Sequence, residues 1–191
     1  MHDAQIRDPD AIFRYVMGGR AVLTLVSSAS GQRFTFSVEM KTVRQLDNES
    51  DEKFEARRRE AMSGVRFVKV LTGPDNTHDY SYIGHINDRR EFRLDRRSAF
   101  DASAPSVRAW MWFWSVLTNH REKLDQIEVW HNGRCSRCGR ELTVPESVQS
   151  GLGPVCAESM GGFRLAPVIR TNPLSFNPRG TLTPRSAEAV R

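Results

Sequence analysis

The chain has 191 residues, of which 39% are hydrophobic, enough for one ordinary core and a small appendage. Its net charge of +5 and pI of about 9.5 suit a polyanionic partner but are too mild to demonstrate nucleic-acid binding. The N-terminus lacks a signal-peptide pattern, and the most apolar run, residues 109–117, is shorter than the roughly 20 residues that span a bilayer. We therefore expect a cytoplasmic protein with no membrane partner.

The first half of the chain predicts an α+β fold, in which a mostly antiparallel sheet packs on one main helix. A short helix begins at Asp8-Pro9 and ends at Gly18-Gly19. Residues 33–40 alternate apolar and polar side chains, which indicates a hairpin with residues 21–27. Residues 65–71, 80–86 and 92–94 are predicted to continue the sheet.

A dense run of charges interrupts this sheet domain, which we place at residues 9–130. The interruption, residues 45–63, predicts an exposed helix or a mobile insertion. Phosphate contacts by Arg57, Arg58 and Arg59 are the alternative, but acidic residues interleave with them and break up any patch of a single sign.

The main helix is predicted to begin at Pro105, with Ser103 as its N-cap. Its apolar stripe comprises Val107, Trp110, Met111, Trp114 and Leu117. Trp112 lies nearly opposite two of the stripe's tryptophans. We expect it either to stack on a base or a partner, or to lie beneath the C-terminal domain.

A metal site is predicted after the last strand, residues 126–131. Cys135 and Cys138 have the Cys-x-x-Cys spacing that lets one tight turn hold a metal ion, and Cys156 stands at a predicted helix start. The chain has three cysteines, so we expect His131 as the fourth ligand of a closed, structural Zn²⁺ site. His120 and His85 are the reserve ligands. The odd cysteine count and the missing secretory signal disfavour a disulfide.

These motifs carry a resemblance. The pattern Cys-x-x-Cys-Gly-Arg-x-Leu, with Pro145, Ser147 and Gly-x-Gly-Pro-x-Cys after it, resembles a short zinc-binding domain of unknown function in proteins of actinobacterial phages and their hosts. The resemblance covers about residues 128–160. Residues 71–76 and the Trp-rich segment also resemble the region that those small phage proteins carry ahead of the domain. It implies zinc binding and a treble-clef-like knuckle at residues 131–162, and it implies no activity.

The remainder, residues 163–191, holds five arginines and one glutamate without periodicity, and it predicts a disordered basic tail of charge +4. We expect the protein to bind DNA or RNA through its basic surface and its basic tail. The candidate contact residues are Arg134, Arg137, Arg140 and Trp112. A module that binds a host or phage protein is the alternative. Nothing in the sequence indicates an oligomeric state.

Catalysis is the less favoured reading. Zinc deaminases need a His-x-Glu motif and an open position for water at the ion, and a site filled by three thiolates and an imidazole offers neither. An enzyme site within the sheet domain, near His85, Asp79, Tyr82 and Asp75, stays open as an alternative. We expect an accessory protein that is not an enzyme.

Overall fold

A computed structural model describes residues 4–41 and 43–161 of the chain, and the predicted tail lies outside these ranges. The described chain is an α+β protein with one seven-stranded antiparallel sheet. The strands are β1 (Gln5–Ile6), β2 (Arg20–Ser27), β3 (Arg33–Met40), β4 (Arg66–Leu71), β5 (Tyr80–Ile86), β6 (Phe92–Leu94) and β7 (Ile127–His131).

The order of the strands is β1-β7-β2-β3-β4-β5-β6. Strands β2 to β6 follow the chain, and β2 and β3 form the predicted hairpin. The last strand in sequence, β7, lies between β1 and β2 and pairs with both. The two-residue strand β1 extends the sheet to Gln5, before the predicted domain start at residue 9.

The helices are α1 (Pro9–Met17), α2 (Asp51–Ser63), α3 (Pro105–Asn119), α4 (Pro145–Ser150) and α5 (Pro154–Ser159), with a 3₁₀ helix at Arg121–Gln126. Helix α1 starts where the sequence predicts, because the Asp8 carboxylate accepts a 2.7 Å hydrogen bond from the Ala11 amide. Helix α3 has no such cap. The Ser103 hydroxyl donates to the Asp101 carboxylate at 2.6 Å instead, so the predicted Ser103 cap is wrong.

One face of the sheet forms the core. Its buried side chains alternate along each strand: Ala21, Leu23, Leu25, Phe36, Val38, Val68, Val70 and Val129. Strand β5 departs from this period, since both Ile83 and Ile86 are buried. The register between β4 and β5 shifts at Val68/Lys69, and this irregularity turns both isoleucines inward.

Two helices cover that face, so the expectation of one main helix is not confirmed. Helix α3 places the Trp110 ring 4.9 Å from the Phe36 ring. Helix α1 places the Phe13 ring 5.9 Å from the Trp114 ring, which links the two helices. The predicted stripe of α3 differs at one position: Met111 is 43% exposed, whereas Phe113, which widens the stripe, is fully buried as its spacing predicts.

The charged segment contains helix α2, which the Ser50 hydroxyl caps by accepting from the Lys53 amide. Arg57 binds the Glu49 carboxylate at 2.6 and 2.7 Å, and this partner competes with a phosphate contact at Arg57. In the part of the chain that the structure describes, no helix has both the length and the apolar character that crossing a bilayer requires.

Candidate metal centre

The three cysteines come together although seventeen residues lie between the second and the third. Their Sγ atoms all lie within 4.8 Å of one another. Thiolates bound tetrahedrally at about 2.3 Å from a zinc ion lie about 3.8 Å apart, so this cluster fits one metal ion after a small contraction. Cys135 is buried, Cys156 is half-buried and Cys138 is exposed. The cluster therefore has one protected side and one side open to solvent.

A tight backbone turn presents the first two thiols. The Cys135 amide donates to the Arg140 carbonyl at 2.8 Å, and the Gly139 amide donates to the Cys135 carbonyl at 2.9 Å. Gly139 has φ +79°, in the left-handed region that favours glycine. This explains the glycine directly after Cys138.

The third thiol arrives from the opposite direction, by way of two short helices. Helix α4 ends at Gly151, which has φ +69° and contacts the ring of Tyr15 on α1. Gly153 and Pro154 then start α5, and Cys156 lies in its first turn. Because Tyr15 is fully buried in the core, α4 and the start of α5 are fixed relative to the sheet.

The ionisation of the cysteines is coupled. Burial raises the pKa of Cys135, but hydrogen bonds from the Cys138, Gly153 and Arg137 amides outweigh it and the net shift is downward. Burial, together with the hydrogen bond to Cys138 and the charge of Cys135, raises the pKa of Cys156 to about 12. The opposite shifts make Cys135 a stronger acid than Cys156.

The cysteine turn is joined directly to the sheet. The Ser136 carbonyl accepts a 2.7 Å hydrogen bond from the Arg20 amide at the start of β2, and the Ser136 amide donates to the Gly151 carbonyl at 3.2 Å. A Cβ on Gly18 would approach the Ser136 hydroxyl to 2.2 Å. Position 18, directly after α1, therefore accepts only glycine, and this lets α1 lie close to the turn that holds the first two cysteines, residues 135–140.

His131 does not lie in the cluster in this structure, and its role as the fourth ligand stays a prediction. Its Nε2 donates to the Val148 carbonyl at 2.8 Å, and its Nδ1 accepts from the Gly133 amide at 3.1 Å. Both ring nitrogens are thus engaged within the protein. Burial lowers the pKa of His131, which favours the neutral ring that this pair of bonds requires. His131 fixes α4 through Val148 and positions the cysteines indirectly.

The reserve ligands lie elsewhere. His85 Nδ1 is 3.7 Å from the Asp95 carboxylate, and His120 Nδ1 is 3.6 Å from the Glu122 carboxylate. The residues considered for a hidden enzyme site separate into two groups. Tyr82 and His85 face Asp95, while the carboxylate of Asp75 binds His78 at 2.9 Å in a loop and that of Asp79 accepts from the Asp75 amide.

The predicted binding residues have different environments. Arg134 and Arg140 are exposed, and the Arg134 guanidinium donates to the Gly139 carbonyl at 3.2 Å. Arg137 is half-buried and contacts the Met160 sulfur. Trp112 is half-buried, which leaves both predicted roles, stacking on a partner and packing beneath the C-terminal domain, as predictions.

Arg20, which the sequence did not indicate, lies beside the arginines of the cysteine turn. The Arg20 guanidinium lies 3.6 Å from the position that a Cβ on Gly139 would occupy. More than a hundred residues separate Arg20 from the cysteine turn in sequence, and the hydrogen bond from the Arg20 amide to the Ser136 carbonyl holds the two together.

Comparison with protein families gives a match to the family described as "Family of unknown function (DUF6011)", over residues 130–161. These are the residues of the cysteine turn, α4 and α5, so the similarity covers the candidate metal centre and not the sheet. Comparison with curated proteins finds no match, and comparison with solved structures finds none.

Proposed function

We propose that the protein binds one Zn²⁺ ion through Cys135, Cys138 and Cys156, and that the ion holds the C-terminal segment in its folded form. The observation that carries the proposal is the convergence of three sulfurs within 4.8 Å from two separate parts of the chain. Thiolates select soft or borderline ions, and zinc is the one without redox chemistry that most often occupies such structural sites. Metal content of the purified protein, measured by mass spectrometry, tests it: one zinc per chain is expected.

The proposed architecture is a sheet domain followed by a treble-clef-like knuckle, with the division near residue 131. The order of the elements supports a treble-clef-like knuckle, because a turn with two thiols is followed by a helix that carries the third thiol in its first turn. The bridge between Arg134 and Glu141 supplies the short hairpin of such a knuckle. Limited proteolysis before and after chelation tests the division, because cleavage is expected within residues 132–161 only after the metal is removed.

For the biological role we favour nucleic-acid binding through the exposed arginines at the knuckle. Arg20, Arg134 and Arg140 come from different parts of the chain to one place, beside Gly139 and its neighbours. The chain's net charge of +5 adds a general attraction to phosphates. Glu141, which is exposed in the same turn, opposes part of this field.

A charge-matched pair of variants tests this role. Replacing Arg20, Arg134 and Arg140 by Gln removes three charges at the knuckle, and replacing Arg33, Arg89 and Arg96 by Gln removes three exposed charges elsewhere. Arg20 and Arg33 stand at opposite ends of the β2–β3 hairpin. On immobilised DNA the first variant is expected to bind more weakly, with a salt slope lower by about 0.9 per lost phosphate contact. Equal loss in both variants would indicate attraction by net charge alone.

A protein-interaction module is the alternative, and exposed apolar residues favour it. Val155, next to Cys156, is 78% exposed, and Val144, which precedes α4, is 51% exposed. Large apolar side chains at a metal site suit contact with a partner protein, such as a host factor bound by a phage protein. Affinity capture with nuclease present tests it: partners that persist with the parent chain and are lost with Val155→Ser support this alternative.

We propose that the role is not catalytic and is carried out in the cytoplasm. Zinc sites rich in cysteine are typical of structural roles. Within residues 4–41 and 43–161, the cluster consists of three thiols and includes no carboxylate or imidazole ligand atom. Thiol-rich metal sites are also typical of reducing compartments.

A further inference from the structure

The three thiolates leave a bound zinc ion one donor short. Zinc in structural sites is almost always held by four ligands. Across the described ranges 4–41 and 43–161, no other His, Cys, Asp or Glu ligand atom belongs to the cluster. The fourth donor must come from His131 after a rearrangement, from elsewhere in the chain, or from outside it.

A rearrangement of His131 has a clear energetic cost. The ring would have to break its bonds with the Val148 carbonyl and the Gly133 amide, and leave the Tyr15 ring, whose centroid is 5.3 Å away. Breaking the first bond would leave the Val148 carbonyl with the longer hydrogen bond from the Gly151 amide, at 3.3 Å. It also frees the end of α4, the element that delivers Cys156.

The position where a fourth cysteine would complete the site holds a serine. Ser159 lies one helical turn after Cys156, the spacing of the first cysteine pair. Its hydroxyl donates to the Cys156 carbonyl at 2.9 Å. A neutral hydroxyl is not among the donors that zinc ordinarily takes from proteins.

The cluster is accessible to an external donor. Cys138 is exposed, and so are Pro154, Val155 and Ser159 on the adjoining helix. The buried thiol, Cys135, lies on the opposite side against Ser136 and the start of β2. A coordination position that the three sulfurs leave free on the exposed side is therefore open to solvent.

We infer that the metal ion keeps this fourth position for an exchangeable external donor, which is water in the isolated protein and an imidazole or thiolate group when one is offered. The inference rests on the proposed metal binding and adds a ligand site to it. The proposal concerns the exchange of ligands at this position and includes no reaction of the bound water.

Cobalt substitution of the full-length protein tests the inference, because the visible bands of Co²⁺ report its ligands. The protein is loaded with one Co²⁺ per chain and titrated with imidazole, then separately with a monothiol. A saturable change of the bands is expected with each. With the thiol, the sulfur-to-cobalt charge-transfer intensity should rise by about a third, from three thiolates to four. Cobalt content is measured again afterwards to show that the ion stays bound.

Two variants identify an internal donor if there is one. His131→Gln removes the nearest imidazole, and the triple variant His2→Gln, Asp3→Asn, Glu188→Gln removes the ligand-type side chains outside the described ranges. The triple variant is expected to match the parent spectrum and its response. Because His131 also positions α4, the decisive readout for His131→Gln is its response: it should bind added imidazole with the same affinity as the parent chain. The inference is overturned if the parent chain responds to neither ligand, if the triple variant changes the spectrum before a ligand is added, or if only His131→Gln responds to imidazole. Absence of bound cobalt would instead refute the metal site itself.

Discussion

The sheet and the knuckle are stabilised in different ways. The sheet has a continuous apolar core, to which both long covering helices contribute tryptophan or phenylalanine. The knuckle, residues 132–161, adds few buried apolar side chains, among them Val148, Leu152 and Met160. A segment of this size is below the roughly 40 residues at which chains fold without a metal, disulfide or partner. We propose that it depends on the ion and on its contacts with the sheet, and the following predictions separate those two supports.

The largest effect is expected from removing the metal. Chelation, or Cys156→Ser, should abolish protection from hydrogen exchange in residues 132–161 while strands β3 and β4 stay protected, because metal binding and folding of the knuckle are one equilibrium. Exchange followed by mass spectrometry measures both regions in one sample. Ser159→Ala, one helical turn away, is the control and should keep its metal. Equal loss in both regions would show that the sheet depends on the ion too.

The next effect concerns the contact between knuckle and core at Gly151. An alanine there meets the Tyr15 ring at 2.1 Å and adopts φ +69°. We expect Gly151→Ala to lower the free energy of unfolding by about 2–4 kcal/mol, from left-handed strain and overpacking together. Chemical denaturation measures it.

Two other glycines separate these causes. Gly31 has φ +68° but open space around its Cβ position, so Gly31→Ala should show the strain alone, about 1–2 kcal/mol. Gly153 has open space and φ −67°, so Gly153→Ala should be neutral or slightly stabilising. A Gly151 variant no worse than the Gly31 variant would argue against a close contact with Tyr15.

A pH effect is expected from His131. Its pKa is lowered by burial, so the unfolded chain binds the proton more readily than the folded chain. The stability that the neutral ring contributes is complete above the unfolded pKa of about 6.5 and is lost as the pH falls through the lower folded value. Unfolding measured from pH 7.5 to 5 should therefore show a steeper decline in the parent chain than in His131→Gln.

The same titration distinguishes the two roles of this histidine. The ring resonance of His131, followed by NMR, should titrate below its ordinary range in the metal-loaded protein. A ring bound to the ion would not titrate until the metal is released. That outcome would restore His131 as a ligand.

The smallest effect is expected at Ser136. Its hydroxyl is buried and has no hydrogen-bond partner among the described residues. Ser136→Ala should change the free energy of unfolding by less than about 1 kcal/mol, and an increase in stability is the favoured direction. Ser50→Ala is the comparison, since it removes the cap of α2 at a cost of about 1 kcal/mol. A loss above 2 kcal/mol at Ser136 would reveal a partner for the hydroxyl.

Local patterns predicted those parts of the molecule that local forces determine. The alternation in residues 33–40 gave the hairpin, and the Cys-x-x-Cys-Gly turn gave two of the three converging thiols. The role of His131 was not accessible in this way. Its distance from Cys135 suits a ligand, but the direction of its ring is set by Val148 and Tyr15, which are remote in sequence.

Two further differences have the same origin. Met111 and Phe113 both border the stripe of α3, and the rotation of that helix against Phe36 decides which is buried. Strand β1 has two residues, too few for any periodicity, and it exists because β7 offers it an edge.

The position of β7 between β1 and β2 has a consequence for how the protein is made. Strands β2 to β6 can pair with their neighbours as they emerge from the ribosome. Strand β1 emerges before them, but it has no partner until residue 127 and those after it have left the exit tunnel. Until then the free edge of β2 is open to pairing with other nascent chains. A chain that stops before β7 therefore lacks both the partner of β1 and the cysteine cluster, and it exposes the edge of β2.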